Sequence, residues 1–148
     1  MKITTNFINR IKRHEGYKKR PYRCSMGKLT IGYGRNLDDK GLLEQEAEFL
    51  LFKDVEEARI ETTKAFDFFE TLSQTRQEVL VEMAFNMGIK KLKRFKKMID
   101  ALKKQNFKEA SVQMLDSLWA KQVKSRAQTL ALLMEQGREN AKKENKCS

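Results

Sequence analysis

Between His14 and Gly34 the sequence HEGYKKRPYRCSMGKLTIGYG brings together one carboxylate, Glu15, one thiol, Cys24, and a threonine hydroxyl, Thr30, in a setting rich in glycine and tyrosine. Hydrolysis of a glycosidic bond needs a carboxylic acid beside the leaving oxygen and a second group that activates water or attacks the sugar itself. In that chemistry Glu15 is the candidate acid, kept protonated by partial burial at a helix end. Cys24 is the candidate partner facing it, and Thr30 a hydroxyl able to hold the water. A thiol has a free pKa of roughly 8.5, so Cys24 needs a neighbouring cation or helix terminus to act at neutral pH. The same residues also read as a solvated carboxylate, a small buried filler and an ordinary strand residue. Residue chemistry by itself favours this second reading, since an isolated Glu and Cys carry little specificity.

The elements that must position these groups follow from local signals. Thr4 or Thr5 caps a first helix whose Phe7, Ile8 and Ile11 form an apolar stripe, and Gly16 ends it just past Glu15. Pro21 leads into a hairpin, with SMGK as the turn and LTIGY as the return strand. Gly32 and Gly34 weaken that strand and point to a bend or a close backbone approach. RNLDDKG reads as a loop. Beyond it the pattern is helical, beginning with a long segment that places Leu43, Ala47, Leu50, Leu51, Val55 and Ala58 on one face. TRQEVLVEMAFNMG opens with a capping box from Thr75 to Glu78 and stops at Gly88. LKRFKKMIDALKK carries Leu92, Phe95, Ile99 and Leu102 as its apolar positions. NFKEASVQMLDSLWAKQ starts from Asn106, and SRAQTLALLMEQG runs from Ser125 to Gly137. The fold class is α+β: a helix and small antiparallel sheet, then a helical lobe. The chain reads as one domain over 1–148, with the N-terminal helix, hairpin lobe and connecting helix in 1–58, the helical lobe in 59–137 and a polar tail in 138–148.

Length and composition bound the rest. A chain of 148 residues that is 40% hydrophobic and 34% charged can bury a core and is not a disordered one. No apolar run approaches the ~18 residues of a membrane span. The N-terminus lacks a continuous apolar stretch of secretory type, which leads to the expectation of a cytosolic origin. Cys24 and Cys147 are expected to be free thiols in such a compartment. The net charge of +11 suits a polyanionic partner such as nucleic acid, an anionic membrane or an acidic wall polymer. His14 has no second ligand at metal spacing, so no metal is expected.

The spacing resembles that of phage-type lysozymes, the endolysins of glycoside hydrolase family 24. Their motif is a glutamate, eight residues, Asp or Cys, five residues, Thr, then IGYGH or a close variant. Here Glu15, Cys24 and Thr30 stand at those spacings, followed by IGYGR. AFNMG and a Trp followed seven residues later by Arg extend the resemblance over nearly the whole chain. It implies a lysozyme-like fold with a small hairpin lobe joined by a long helix to a larger helical lobe. It also implies a peptidoglycan substrate, cut at the β-1,4 bond between N-acetylmuramic acid and N-acetylglucosamine. Glu15 becomes the general acid, Cys24 the water activator or nucleophile in the usual place of an aspartate, and Thr30 the residue that positions water. Arg126 is implied to hold the Glu15 carboxylate. Arg35, standing where the family commonly has histidine, is implied to pair with Asp54. Phe85, Asn86, Gln113, Asn36 and Met98 fall at substrate-contacting positions, the last two differing in residue type. No cofactor is implied. A monomer without stable membrane insertion is expected, made in the host bacterial cytoplasm and reaching the periplasmic wall through a separate holin.

The main rival is a basic helical nucleic-acid-binding protein. The Lys-rich segment KKLKRFKKMIDALKK could touch phosphates, but its Phe95, Ile99 and Leu102 spacing is that of an amphipathic core helix. A membrane-active reading would use the same segment and the basic tail.

Overall fold

The computed structural model of this chain describes residues 1–139. Cys147 and nearly all of the polar tail lie outside the described residues. The chain divides into two compact units, Met1–Leu50 and Leu51–Ser148, the boundary falling inside the long helix and before residue 58.

In the first unit, helix α1 (Thr5–Glu15) begins where the Thr4 hydroxyl accepts the Phe7 amide at 3.3 Å. It ends where Gly16, at φ +72°, turns the chain out of the helix. Strands β1 (Lys18–Arg23), β2 (Leu29–Gly32) and β3 (Arg35–Asn36) form an antiparallel sheet in that order. Tyr22 pairs with Thr30, and Thr30 with Asn36. The register slips between Lys18 and Tyr22, and Pro21 falls within that slip. A proline without an N–H is tolerated there because β1 is an edge strand.

The segment that reads as a loop, 35–41, is instead β3 followed by a short helix α2 (Leu37–Lys40). Asn36 caps α2 through the Asp39 amide at 3.0 Å, and Asp38 and Asp39 lie in its first turn, where acidic charge favours a helix. Asp38 then accepts the Leu29 amide at 2.7 Å and Arg23 at 3.5 Å, and Asp39 takes Lys28 at 3.0 Å. These bonds tie α2 to the hairpin.

Helix α3 (Glu44–Ala65) runs from the first unit into the second. Its expected apolar face is mostly exposed, and only Ala58 and Thr62 are buried along its length. The second unit continues with α4 (Gln74–Met87), α5 (Ile89–Leu92), α6 (Lys96–Lys103), α7 (Phe107–Leu115), α8 (Leu118–Val123) and α9 (Ser125–Gln136). Three boundaries differ from expectation. The cap of α4 is Ser73 rather than Thr75, its hydroxyl accepting the Arg76 amide and donating to the Gly137 carbonyl at 3.0 Å. The Lys-rich segment breaks at residues 93–95 into α5 and α6, and Ser117 opens a separate α8 by accepting the Ala120 amide at 3.1 Å. The core is continuous through Leu80, Met83, Leu92, Met98, Leu102, Met114 and Met134, each fully buried.

Arg76 locks the start of α4 to the end of α9. Its guanidinium donates to the Met134 carbonyl at 2.7 Å and the Glu135 carbonyl at 2.8 Å, and lies 3.4 Å from the centre of the Phe107 ring. Those carbonyls are helix-end acceptors without intrahelical partners, so a cation is favoured there. Gly137 leaves the room: a Cβ on it would fall 2.6 Å from the guanidinium. Arg76→Ala is expected to cost about 2 kcal/mol in urea unfolding, the scale of lost charge-assisted hydrogen bonds. Arg76→Lys should recover less than half of it, because an ammonium cannot fork to both carbonyls while stacking on the ring.

Candidate active site

The hairpin places Cys24 directly after β1, in a turn closed by the Cys24 amide on the Lys28 carbonyl at 2.9 Å and the Gly27 amide on the Cys24 carbonyl at 2.8 Å. Side chains alternate along a strand, so Cys24 shares a face with Tyr22, and the Tyr22–Thr30 pairing puts Thr30 on that face as well. Cys24 is half-buried and free. Its thiol is held below the ordinary range chiefly by the backbone N–H of Met26, then by that of Lys28, with the Thr30 hydroxyl adding to them; partial burial opposes the shift. The turn's own amides do most of this work, in the manner of an anion-binding backbone nest, and the Lys28 ammonium also interacts with the thiolate through space.

Thr30 is buried, 4% exposed, and its hydroxyl donates to the Lys28 carbonyl at 2.9 Å. The same hydroxyl favours the ionised Cys24 thiol.

Glu15, the last residue of α1, is exposed rather than partly buried. Its carboxyl lies against Gly34, in the turn between β2 and β3, so closely that a Cβ on Gly34 would fall 2.6 Å from Oε2. The end of α1 is held over this turn by ring contact between Tyr17 and Tyr33 at 5.6 Å and by the Lys12 ammonium 5.4 Å from the Tyr33 ring.

Two supporting residues take partners other than those expected. Arg35 donates from both terminal nitrogens to Glu46, at 2.7 Å to Oε1, and also to the Gly41 carbonyl at 3.1 Å. Its carboxylate is thus Glu46, nearer the start of α3 than Asp54. Glu46 is held below the usual carboxylate range by that guanidinium first, then by the Leu43 amide. Asn36 caps the Asp39 amide through its carbonyl oxygen and donates to the Asp39 carboxylate at 2.8 Å.

In the second unit the expected contact residues separate into two cavities. Asn86, Gln113 and Met98 line one of about 760 Å³, floored by Trp119 and Phe95. The Trp119 indole donates to the Asn86 carbonyl oxygen at 2.8 Å, and Gln113 donates to Glu109 at 2.7 Å. Met98 is 1% exposed and belongs to the core, which leaves it no surface to offer a ligand. Phe85, 39% exposed, and Arg126 line the other, of about 620 Å³. Arg126 donates from Nε to Glu82 at 2.9 Å. Glu82 and Glu46 are the residues missed from sequence, and neither carried a local signal. The close approach read at Gly34 is the one to the Glu15 carboxyl.

Among the described residues no group of three or more His, Cys, Asp or Glu could hold a metal ion. No helix among them is long and apolar enough to cross a membrane.

A helix ending in Glu15, a small antiparallel sheet whose hairpin turn holds Cys24, and a helical unit after them make an α+β lysozyme-like fold. The sequence matches the phage lysozyme family over residues 12–139, and the chain belongs to that family of peptidoglycan-degrading enzymes. It is 30% identical over 92 residues to an endolysin of Acyrthosiphon pisum secondary endosymbiont phage 1, a match spanning 60% of this chain and 62% of that one. It is 26% identical over 170 residues to the probable T4-type lysozyme 1 of Dictyostelium discoideum, covering 95% of this chain and 100% of the relative. The probable T4-type lysozyme 2 of the same organism is 24% identical over 164 residues, covering 91% and 96%.

The environment of Cys24 carries a pH signature. Donors to the sulfur favour the thiolate, so alkylation by iodoacetamide should reach half its maximal rate at a pH below the roughly 8.5 of a free thiol. Thr30→Val removes one donor and should move that midpoint upward. A midpoint at the free-thiol value in the native protein would show that the turn amides do not reach the sulfur.

Proposed function

We propose that the chain is an endolysin that cuts the β-1,4 bond between N-acetylmuramic acid and N-acetylglucosamine, with Glu15 as general acid and Cys24 as the anionic partner. Glu15 gives its proton to the leaving glycosidic oxygen as positive charge develops at the anomeric carbon. The Cys24 thiolate faces that charge and takes a proton from the water that attacks the carbon. The products are two new chain ends, a carboxylate on Glu15 and a neutral thiol on Cys24, and solvent exchange restores both groups. The observation that carries this reading is Cys24 in the hairpin turn at the motif spacing from Glu15, its thiol held below the ordinary range chiefly by the Met26 and Lys28 amides. Family membership and the motif spacing support the same assignment. Asn86 and Gln113, lining one cavity, are the polar contacts for the glycan, and Phe85 is an apolar one. An exposed, basic surface with a net charge of +11 suits an anionic wall.

Lysis of purified peptidoglycan tests the roles separately. Glu15→Gln should fold normally and lose at least about a hundredfold, the scale of a positioned acid. Cys24→Asp should stay active, because an aspartate is ionised at neutral pH without help. Cys24→Ala and the thiol-alkylated protein should be severely impaired. Near-full activity in Cys24→Ala would reduce the thiol to packing. Trapping of a thioglycosyl adduct on Cys24 would replace the water-activating step by direct attack and retention.

A further inference from the structure

The two glycines around the β2–β3 turn share a backbone conformation but not an environment. Gly32 has φ +67° and Gly34 φ +77°, a region that L side chains rarely adopt. A Cβ on Gly32 would meet nothing within 4 Å. One on Gly34 would lie 2.6 Å from Glu15 Oε2, 2.9 Å from Cδ and 3.4 Å from Cγ. The Glu15 carboxyl thus occupies the volume that any side chain at position 34 would need. The turn is poorly placed to yield, because both flanking residues are engaged: Tyr33 with Tyr17 and Lys12, and Arg35 with Glu46 and the Gly41 carbonyl. Nor can the Glu15 backbone retreat freely, since it closes α1 and is followed at once by the turn at Gly16.

We propose that Gly34 is a positioning residue for the reaction, its bare α-carbon setting where the Glu15 carboxyl rests and hence the direction from which the proton is delivered. This inference depends on Glu15 being the acid. The conformational demand at Gly34 is only half of its role, since Gly32 meets the same demand with no carboxylate beside it. The other half is the absence of an atom. Adding one methyl group forces the carboxyl to move by about 1 Å, and a displacement of that size at a reacting group costs on the order of a hundredfold. A loss confined to the position of the acid falls on kcat and spares KM.

The test compares Gly34→Ala with Gly32→Ala, which carries the backbone strain without the contact. Steady-state kinetics on soluble peptidoglycan oligomers would be read together with the 13C resonance of the Glu15 side-chain carboxyl. The expected result is a fall in kcat on the order of a hundredfold at little-changed KM in Gly34→Ala, with a displaced Glu15 resonance, and neither effect in Gly32→Ala. Equal kcat losses in the two variants, or an undisturbed Glu15 resonance in Gly34→Ala, would overturn the proposal. A displaced resonance with full lysis in both Gly34→Ala and Glu15→Gln would keep the contact but overturn Glu15 as the acid, and the positioning role with it. Should Gly34→Ala not fold, it is expected to fold in a Glu15→Ala background, where the obstructing carboxyl is gone. Failure to fold there as well, with Gly32→Ala folded, would overturn the contact as the cause.

Discussion

The carboxylate of Asp38 is the interaction on which the first unit turns. It accepts the Leu29 amide at 2.7 Å and the Arg23 guanidinium at 3.5 Å, and so fastens α2 to both strands of the hairpin that carries Cys24 and Thr30. Such a fastening is needed because the unit has no apolar core: among residues 1–50 only Thr30 is buried. A three-stranded sheet of this size is marginal without a face to bury. What remains is polar and directional. The Asn36 cap, the Lys28–Asp39 pair and the Arg35–Glu46 fork each fix one segment against another. Exposed pairs of this kind contribute little energy apiece. Their value lies in geometry, since each restricts where the next residue's backbone can run.

That restriction explains how a thiol can stand where an aspartate would be the simpler choice. An aspartate is already an anion at neutral pH, whereas a cysteine must be made one. The donors come from the backbone of the turn itself, the amides of Met26 and Lys28, with the Thr30 hydroxyl added. Backbone donors hold their aim only if the turn holds its shape. Lys28 is pinned through Asp39, and Leu29 through Asp38. The shape of the Cys24 turn therefore depends on two aspartates in a short helix.

Much of the helical framework was legible because its punctuation is local. Thr4, Gly16, Gly88, Asn106 and Gly137 each act on their own neighbours within a turn, and each marks a real boundary. What could not be read were features decided at a distance. β3 and α2 exist because Asp38, Asp39 and Asn36 find the hairpin and each other, and nothing in RNLDDKG shows that those partners are near. The breaks after α5 and α7 are hidden because Phe95 and Trp119 continue the apolar spacing through them, and the two rings pack edge to face with each other at 6.2 Å. Ser73 outcompeted Thr75 as a cap because its hydroxyl also reaches Gly137, far along the chain. The identities of the candidate site residues were readable from spacing, but their surroundings were not. Arg35 and Arg126 were recognisable as charges needing carboxylates. Several acids stand at helical spacing in each neighbourhood, and only the fold selects Glu46 and Glu82.

The two units divide the physical tasks in a way that suits a hydrolase. Large buried side chains such as Leu80, Met83 and Met114 lie wholly in the second unit, so cooperative stability is concentrated there. The first unit keeps Glu15 exposed, Cys24 half-buried and its glycines at positive φ, conditions that a dense core would not tolerate. Rigidity there has to come from somewhere other than packing, and hydrogen bonds to backbone amides supply it with little added bulk. A site built this way is tolerant of changes in exposed side chains but intolerant of added atoms at bare backbone. Its vulnerable positions are consequently glycines and turn amides rather than large hydrophobic residues. These are the positions least conspicuous in composition, and they decide where the Glu15 carboxyl and the Cys24 thiol sit.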